Sequence, residues 1–183
     1  YIRKKTVLVM MTMIMKKTKG IKHSNNSNVT NAANARQKFG LAKDIYAATD
    51  ANPNNNVSGV FKQSYAVLNG VSYFTADDGI HGTELWRSDG TDAGTYLVKD
   101  LQTGEYSSYI TNITAANGKI YFTVSTSQAW VSDGTEAGTH LLLSTSTSGY
   151  PAEKYTAVNN MVYFFANNSE IWKTDGTVAG TVQ

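Results

Sequence analysis

From Tyr65 onward, the apolar residues fall in short runs cut by Gly, Asn, Asp and Ser. Tyr65-Ala-Val-Leu-Asn69 is followed by Gly70-Val-Ser-Tyr-Phe-Thr75, a run around Trp86, and Tyr96-Leu-Val-Lys-Asp-Leu101. Short runs rich in Val, Tyr, Phe and Thr, bounded by turn residues, predict strands rather than helices. The order then repeats. Gly118-Lys-Ile-Tyr-Phe-Thr123 and Asn160-Met-Val-Tyr-Phe-Phe165 take the place of the second run, and His140-Leu-Leu-Leu143 that of the fourth. Side chains alternate along a strand, so each Tyr-Phe pair puts one ring on each face. Both faces are then apolar, as in a sheet sandwiched between neighbours.

The turns agree with this reading. Asn69-Gly70 and Asn117-Gly118 are two-residue hairpin signals, because both residues tolerate positive φ. Asn159-Asn160 keeps that tolerance without glycine. A longer motif closes each unit. Trp86-Arg-Ser-Asp-Gly-Thr-Asp-Ala-Gly-Thr95 returns as Trp130-Val-Ser-Asp-Gly-Thr-Glu-Ala-Gly-Thr139 and as Trp172-Lys-Thr-Asp-Gly-Thr-Val-Ala-Gly-Thr181. The tryptophans lie 44 and 42 residues apart (130 − 86 and 172 − 130). That period marks a repeat array, and four strands per unit is the make-up of a propeller blade. The expected fold is therefore all-β: a β-propeller-like array of four-stranded antiparallel blades. About three blades are present, and closed rings need about four to eight. The chain thus reads as an incomplete ring and a fragment of a larger protein.

Within the signature, Trp86, Trp130 and Trp172 are expected at equivalent positions packed blade to blade. Gly90, Gly134 and Gly176 follow Asp in a tight turn, which demands positive φ. Gly94, Gly138 and Gly180 re-aim the chain into the next strand. Asp89, Asp133 and Asp175 read as structural Asx-turn residues, with a metal or sugar in each blade as the alternative.

The stretch Glu84-Leu-Trp-Arg-Ser-Asp-Gly-Thr-Asp-Ala-Gly-Thr-Tyr-Leu-Val-Lys-Asp-Leu101 resembles the bacterial ELWxxDGT repeat family. The likeness covers residues 41–183. The first copy matches throughout, whereas the second reads Gln128-Ala-Trp130 and the third Glu170-Ile-Trp172. Such repeats stand in tandem in large exported or cell-surface bacterial proteins, some of which end in a sorting signal for type IX secretion. The resemblance implies an extracellular or cell-surface place and a propeller-like fold, and leaves activity open.

Charge and composition refine the picture. Residues 1–22 hold seven Lys/Arg and no acid, leaving 9 Lys/Arg against 14 Asp/Glu in the remainder, or −5. An acidic repeat domain does not favour nucleic acid. The basic, Met-rich start reads either as a signal peptide or as a mis-called N-terminal extension, and its apolar run is too short to span a bilayer. Residues 23–40 read as an Asn-rich disordered linker, and 41–183 as the repeat domain, in units of about 63–101, 110–143 and 155–183. Leu41-Ala-Lys-Asp-Ile45 matches Leu97-Val-Lys-Asp-Leu101. It is read as the last strand of a preceding copy or the strand that feeds the first blade. The loops at 46–60, Tyr106–Tyr109 and Ser144–Tyr150 share one rim. Without cysteine, disulfides, zinc thiolates and thiol nucleophiles are excluded.

One cluster carries candidate chemistry. Thirteen residues separate Tyr73 from Trp86, against nine in the other copies. The extra residues hold Asp77, Asp78, His81 and Glu84, which are the candidate ligand-binding residues. Asp77, Asp78 and Glu84 are the candidate oxygen ligands for Ca²⁺. A solvated hairpin turned by Gly79 and Gly82 is the alternative. No catalytic constellation stands out. The functional expectation is a binding or display module, with other repeats of a longer chain, a polysaccharide or a surface protein as partner. Part of a propeller-type hydrolase or lyase, and a ligand-free spacer, are the rival readings.

Overall fold

The structure, a computed structural model, describes residues 43, 45, 65–145, 151–167 and 169–183. The leader or extension at 1–22, the linker at 23–40, the loop at 46–60 and residues 146–150 of the third rim loop lie outside the described residues. The described residues form strands and turns without a helix, in three antiparallel sheets. None of them forms a helix long and apolar enough to cross a membrane.

Sheet 1 is a meander of β1 (Tyr65–Leu68), β2 (Val71–Asp77), β3 (Thr83–Ser88) and β4 (Tyr96–Lys99). Sheet 2 repeats it with β5 (Thr111–Ala116), β6 (Lys119–Val124), β7 (Gln128–Ser132) and β8 (His140–Ser144). Sheet 3 has β9 (Glu153–Val158), β10 (Met161–Ala166) and β11 (Glu170–Thr174), and a single bridge then joins Lys173 to Val182. The first hairpin of each sheet turns through asparagine at positive φ: Asn69 at 51°, Asn117 at 45° and Asn159 at 54°. Registers repeat as well. Phe74 lies opposite Trp86, which lies opposite Leu97; Phe122, Trp130 and Leu141 line up in the same way, and Phe164 faces Trp172. In sheets 1 and 2 the third strand pairs with the fourth through a register shift just before the tryptophan. The residues passed over in that shift, Val98 and Leu142, are buried.

The Tyr-Phe alternation makes the sheets stack. Tyr73, Leu85 and Val98 on one face of sheet 1 meet Ile113, Ile120, Phe122 and Val124 of sheet 2. On the far face of sheet 2, Tyr121, Ala129, Val131 and Leu142 meet Tyr155, Val162, Phe164 and Ala166 of sheet 3. The other face of sheet 1, with Phe74, Ala76 and Trp86, is packed by Ile45. Lysines tie the layers together. Lys99 Nζ donates to Thr139 O at 3.0 Å, and Lys43 Nζ donates to Thr95 O at 3.1 Å. Lys43 and Ile45 thus serve sheet 1 as Lys99 and Leu101 serve sheet 2, the correspondence carried by Leu41–Ile45 in the sequence.

The signature is a closed web of hydrogen bonds, the same in every unit. In sheet 2, Asp133 Oδ1 accepts from the Thr135 amide at 2.9 Å and from its hydroxyl at 2.7 Å. Thr135 Oγ1 accepts from Gly138 N at 3.0 Å, and Thr139 Oγ1 donates to Thr135 O at 2.6 Å. Ser132 Oγ meets Thr139 Oγ1 at 2.7 Å and accepts from Gly134 N at 2.9 Å. Asp89 and Asp175 anchor the same web in sheets 1 and 3. The threonine hydroxyl and amide hold all three aspartate carboxyls below their usual range, against a small opposing effect of burial. Gly90, Gly134 and Gly176 sit at φ of 91°, 92° and 88°. At Gly94, Gly138 and Gly180 a Cβ would run into the aspartate carboxylate of the same loop, so a side chain there breaks the web.

The tryptophans share a register but not an environment. Trp86 is buried, while Trp130 and Trp172 are half-buried and pack at the edge of the two inter-sheet clusters. Trp130 Nε1 donates to Gln128 Oε1 at 3.0 Å, and Trp172 Nε1 donates to Glu170 Oε2 at 3.2 Å. The equivalent residue in sheet 1, Glu84, turns inward, and Trp86 Nε1 has no acceptor among the described residues. The expectation of equal burial is therefore corrected: the inter-sheet core is centred on the Tyr-Phe strands. We predict that Phe122→Ala costs about 3–5 kcal/mol and Trp130→Ala only about 2 kcal/mol in denaturant unfolding. Equal losses would contradict this placement.

Candidate functional site

The extra residues of unit 1 form the tip of the β2–β3 hairpin. Asp77 Oδ1 accepts from Gly79 N at 2.7 Å. Asp78 Oδ1 accepts from the amides of Ile80 and His81, each at 2.9 Å, and Asp78 Oδ2 lies 2.8 Å from His81 Nδ1. Two aspartates thus cap the turn, and Gly79 and Gly82 supply φ of 84° and 66°. Burial works to raise the Asp78 carboxyl, but the His81 ring and the two amides outweigh it and lower it. Donating to the Asp78 carboxylate raises the His81 imidazole. The two side chains form an ion pair when the imidazole is protonated.

The hairpin leans on the segment that links sheet 1 to sheet 2. A Cβ on Gly82 would lie 2.6 Å from Tyr106 O, so only glycine allows this approach. Thr83 N donates to Ser107 Oγ at 3.0 Å, and Ser108 N donates to Thr83 O at 3.1 Å. Glu84 is wholly buried. Its Oε1 accepts a short hydrogen bond from Ser108 Oγ, and its Oε2 accepts from Leu101 N at 3.1 Å. Burial pushes the Glu84 carboxyl up to about 7, against the pull of the Ser108 and Leu101 donors. One carboxyl therefore holds both ends of the linking segment. Ser125 N, donating to Ser108 O at 3.1 Å, carries the rim onto sheet 2.

What this framework displays is aromatic. Tyr106 and Tyr109 are 72% and 73% exposed, beside a 64% exposed Ile80 at the hairpin tip. Tyr109 is held at a φ of 49° between buried Ser108 and buried Ile110. The rim thus joins fixed hydrogen-bonding groups, Asp78 and His81, to two tyrosine rings whose backbone is anchored from below.

Of the four sequence candidates, Asp77, Asp78 and His81 stand together on the hairpin, and Glu84 is turned into the interior. Among the described residues, no group of three or more His, Asp or Glu side chains is arranged to hold a metal ion. Asp77, Asp78 and Glu84 therefore do not form the proposed Ca²⁺ cage, because Glu84 spends both oxygens on Ser108 and Leu101. Ser107 and Ser108 were missed as positioning groups, because they bond across 24 residues of chain to Thr83 and Glu84. The sequence places Tyr106–Tyr109 on a rim with other loops and carries no link from it to the Asp77–Glu84 hairpin.

No family model and no curated protein matches the chain. Among solved structures, it is similar to the computationally designed Ika8 protein at 16% identity, over 65% of this chain and 34% of that one, with a TM-score of 0.42. It is also similar to the computationally designed Ika4 protein at 14% identity, over 67% of this chain and 72% of that one, with a TM-score of 0.43. The chain spans about a third of the first protein's length.

Glu84 makes stability depend on pH in a definite direction. Its folded pKa of about 7 exceeds the ordinary 4.5. Between those values the folded chain holds a proton that the unfolded chain has lost, so stability falls as pH rises through the window. His81, also raised, acts the same way as its folded pKa is passed. Asp78, Asp89, Asp133 and Asp175 act oppositely and lose their contribution only on acidification below the usual carboxylate range. We predict a melting temperature that declines from about pH 5 to about pH 7.5, and a clearly flatter profile for Glu84→Gln. Equal slopes for the two chains would contradict the assignment.

Proposed function

We propose that the chain is a propeller-like, extracellular or cell-surface repeat module that works by binding, and that the rim of its first unit contacts polysaccharide. The observation that carries this reading is the pair of exposed tyrosines on a linking segment fixed by buried hydrogen bonds. Tyrosine offers a flat apolar face with a polar tip. A pyranose ring presents apolar C–H faces that stack on such a ring and hydroxyls that seek fixed donors and acceptors. Asp78 and His81 supply the latter on the adjoining hairpin. Rigid backbone beneath an aromatic contact lowers the ordering cost of binding.

The stacking of three similar sheets supports the propeller-like arrangement. The likeness of the signature to ELWxxDGT repeats supports the extracellular setting and tandem partners in a longer chain. A module that varies one rim and keeps its core constant is a common way for repeat proteins to gain specificity.

The test is affinity electrophoresis of the whole chain in gels loaded with neutral and acidic polysaccharides. At least one should retard it. The double variant Tyr106→Ala and Tyr109→Ala should weaken that retardation about tenfold or more, equivalent to about 1.4 kcal/mol, with unchanged circular dichroism. Retardation by none of them, or undiminished retardation of the variant, would overturn the reading.

A further inference from the structure

One side chain holds the start of the segment that displays Tyr106. Leu101 N donates to Glu84 Oε2 at 3.1 Å, and Gln102 N donates to the same carboxyl. At the far end, Ser108 Oγ donates to Glu84 Oε1. Residues 102–106 are all exposed. Among the described residues, no other hydrogen bond ties 101–106 to a strand of sheet 1. Gly104 N donates at 3.4 Å to Asp100 Oδ2, its own near neighbour in the chain. The bonds of Ser107 and Ser108 to Thr83 do not involve Glu84, and they leave a fixed pivot behind Tyr106.

The surroundings of Glu84 favour its proton. The side chain is wholly buried, and it forms no ion pair among the described residues. Burial disfavours its charged form. Lys99, on the adjoining strand, directs its ammonium to Thr139 O at 3.0 Å. Asp100 follows Lys99 and repels a second negative charge at Glu84. Asp100 Oδ1 is itself buried without a hydrogen-bond partner. On the hairpin, His81 is paired with Asp78, beside Asp77. On the segment, Glu105 is exposed. Nothing in this set offers Glu84 a compensating cation of its own.

We propose that Glu84 is a proton-operated latch on the rim. With its proton on, one oxygen donates to Ser108 Oγ, the other accepts from Leu101 N, and the segment is closed. Ionised, the carboxylate gains hydration only when the stretch from Leu101 to Tyr106 opens. Tyr106 then loses its fixed place and the rim binds more weakly. The weaker binding rests on the polysaccharide reading; the opening does not. Buried, the carboxyl titrates at about 7, against the ordinary 4.5 in water. Closure is therefore complete below about pH 4.5 and is lost progressively up to about pH 7.

The test is amide hydrogen exchange of the whole chain by NMR, at about pH 5 and about pH 7.5, corrected for intrinsic rates. Protection of the Leu101 and Gln102 amides should fall about tenfold or more between the two, and stay nearly flat in Glu84→Gln. At both values it should lie well below that of the Tyr121 amide in β6, because the stretch opens without unfolding the sheets. Equal protection of the two regions would overturn the latch, and this reading needs no variant. A fall of the same size in Glu84→Gln would also overturn it. So would a fall that disappears in His81→Gln, which would assign the titration to the hairpin. For binding, a neutral polysaccharide that retards the chain at about pH 5 should do so severalfold less at about pH 7.5, and equally in Glu84→Gln. Retardation that ignores pH while the amides open would overturn the control of binding. Absence of retardation at every pH would sink the polysaccharide reading, and the amides would still decide the latch without any ligand.

Discussion

Each of these sheets has two apolar faces, and burying them between neighbours is what stacks the sheets. The Tyr-Phe pair on the second strand creates that constraint. Phe122 and Tyr121 are fully buried on opposite sides of one strand, one in each inter-sheet cluster. Stacking follows from burial, but stacking alone does not fix spacing or register. The signature loop supplies these. Its aspartate, two threonines and preceding serine or threonine satisfy one another, so the loop is rigid before it meets a neighbour. It then presents a bare glycine to the tyrosine of the sheet before it, as Gly134 does to Tyr73. The loop is thus a structural part in every unit, and its aspartates are committed to it.

Much of this was legible in the sequence, because the signals were local. Asn-Gly turns, the strand alternation and the Asp-Gly turns act within a few residues, where backbone sterics and side-chain period decide the outcome. The repeat added alignment, which gave Lys43 the role of Lys99. What escaped was long-range. Glu84 looked like a candidate Ca²⁺ ligand, because it ends an acidic, glycine-rich stretch. It is buried, because its strand position faces inward and Ser108 and the Leu101 amide wait there. Trp86, Trp130 and Trp172 looked equivalent and share a register, but the residue two places earlier decides whether the indole N–H finds an acceptor.

The same departure gives unit 1 its individuality. Its longer hairpin lets Gly82 close against Tyr106 O, and Glu84 then holds the segment that displays Tyr106 and Tyr109. The core of the unit stays that of its neighbours. The placement of Tyr106 and Tyr109 is therefore coupled to a single buried carboxyl, which burial pushes up to about 7.

The central claim is that sheets are registered by a tyrosine hydroxyl over a glycine in the next unit. A double-mutant cycle on Tyr73 and Gly134 tests it most directly. Gly134→Ala should destabilise the chain in denaturant unfolding by about 2 kcal/mol or more, from backbone strain at positive φ plus collision with the phenol. In a Tyr73→Phe background the colliding oxygen is gone, and at least about 1 kcal/mol of that loss should disappear. Strictly additive losses would contradict the account, since they would mean that Gly134 is required only by its own turn.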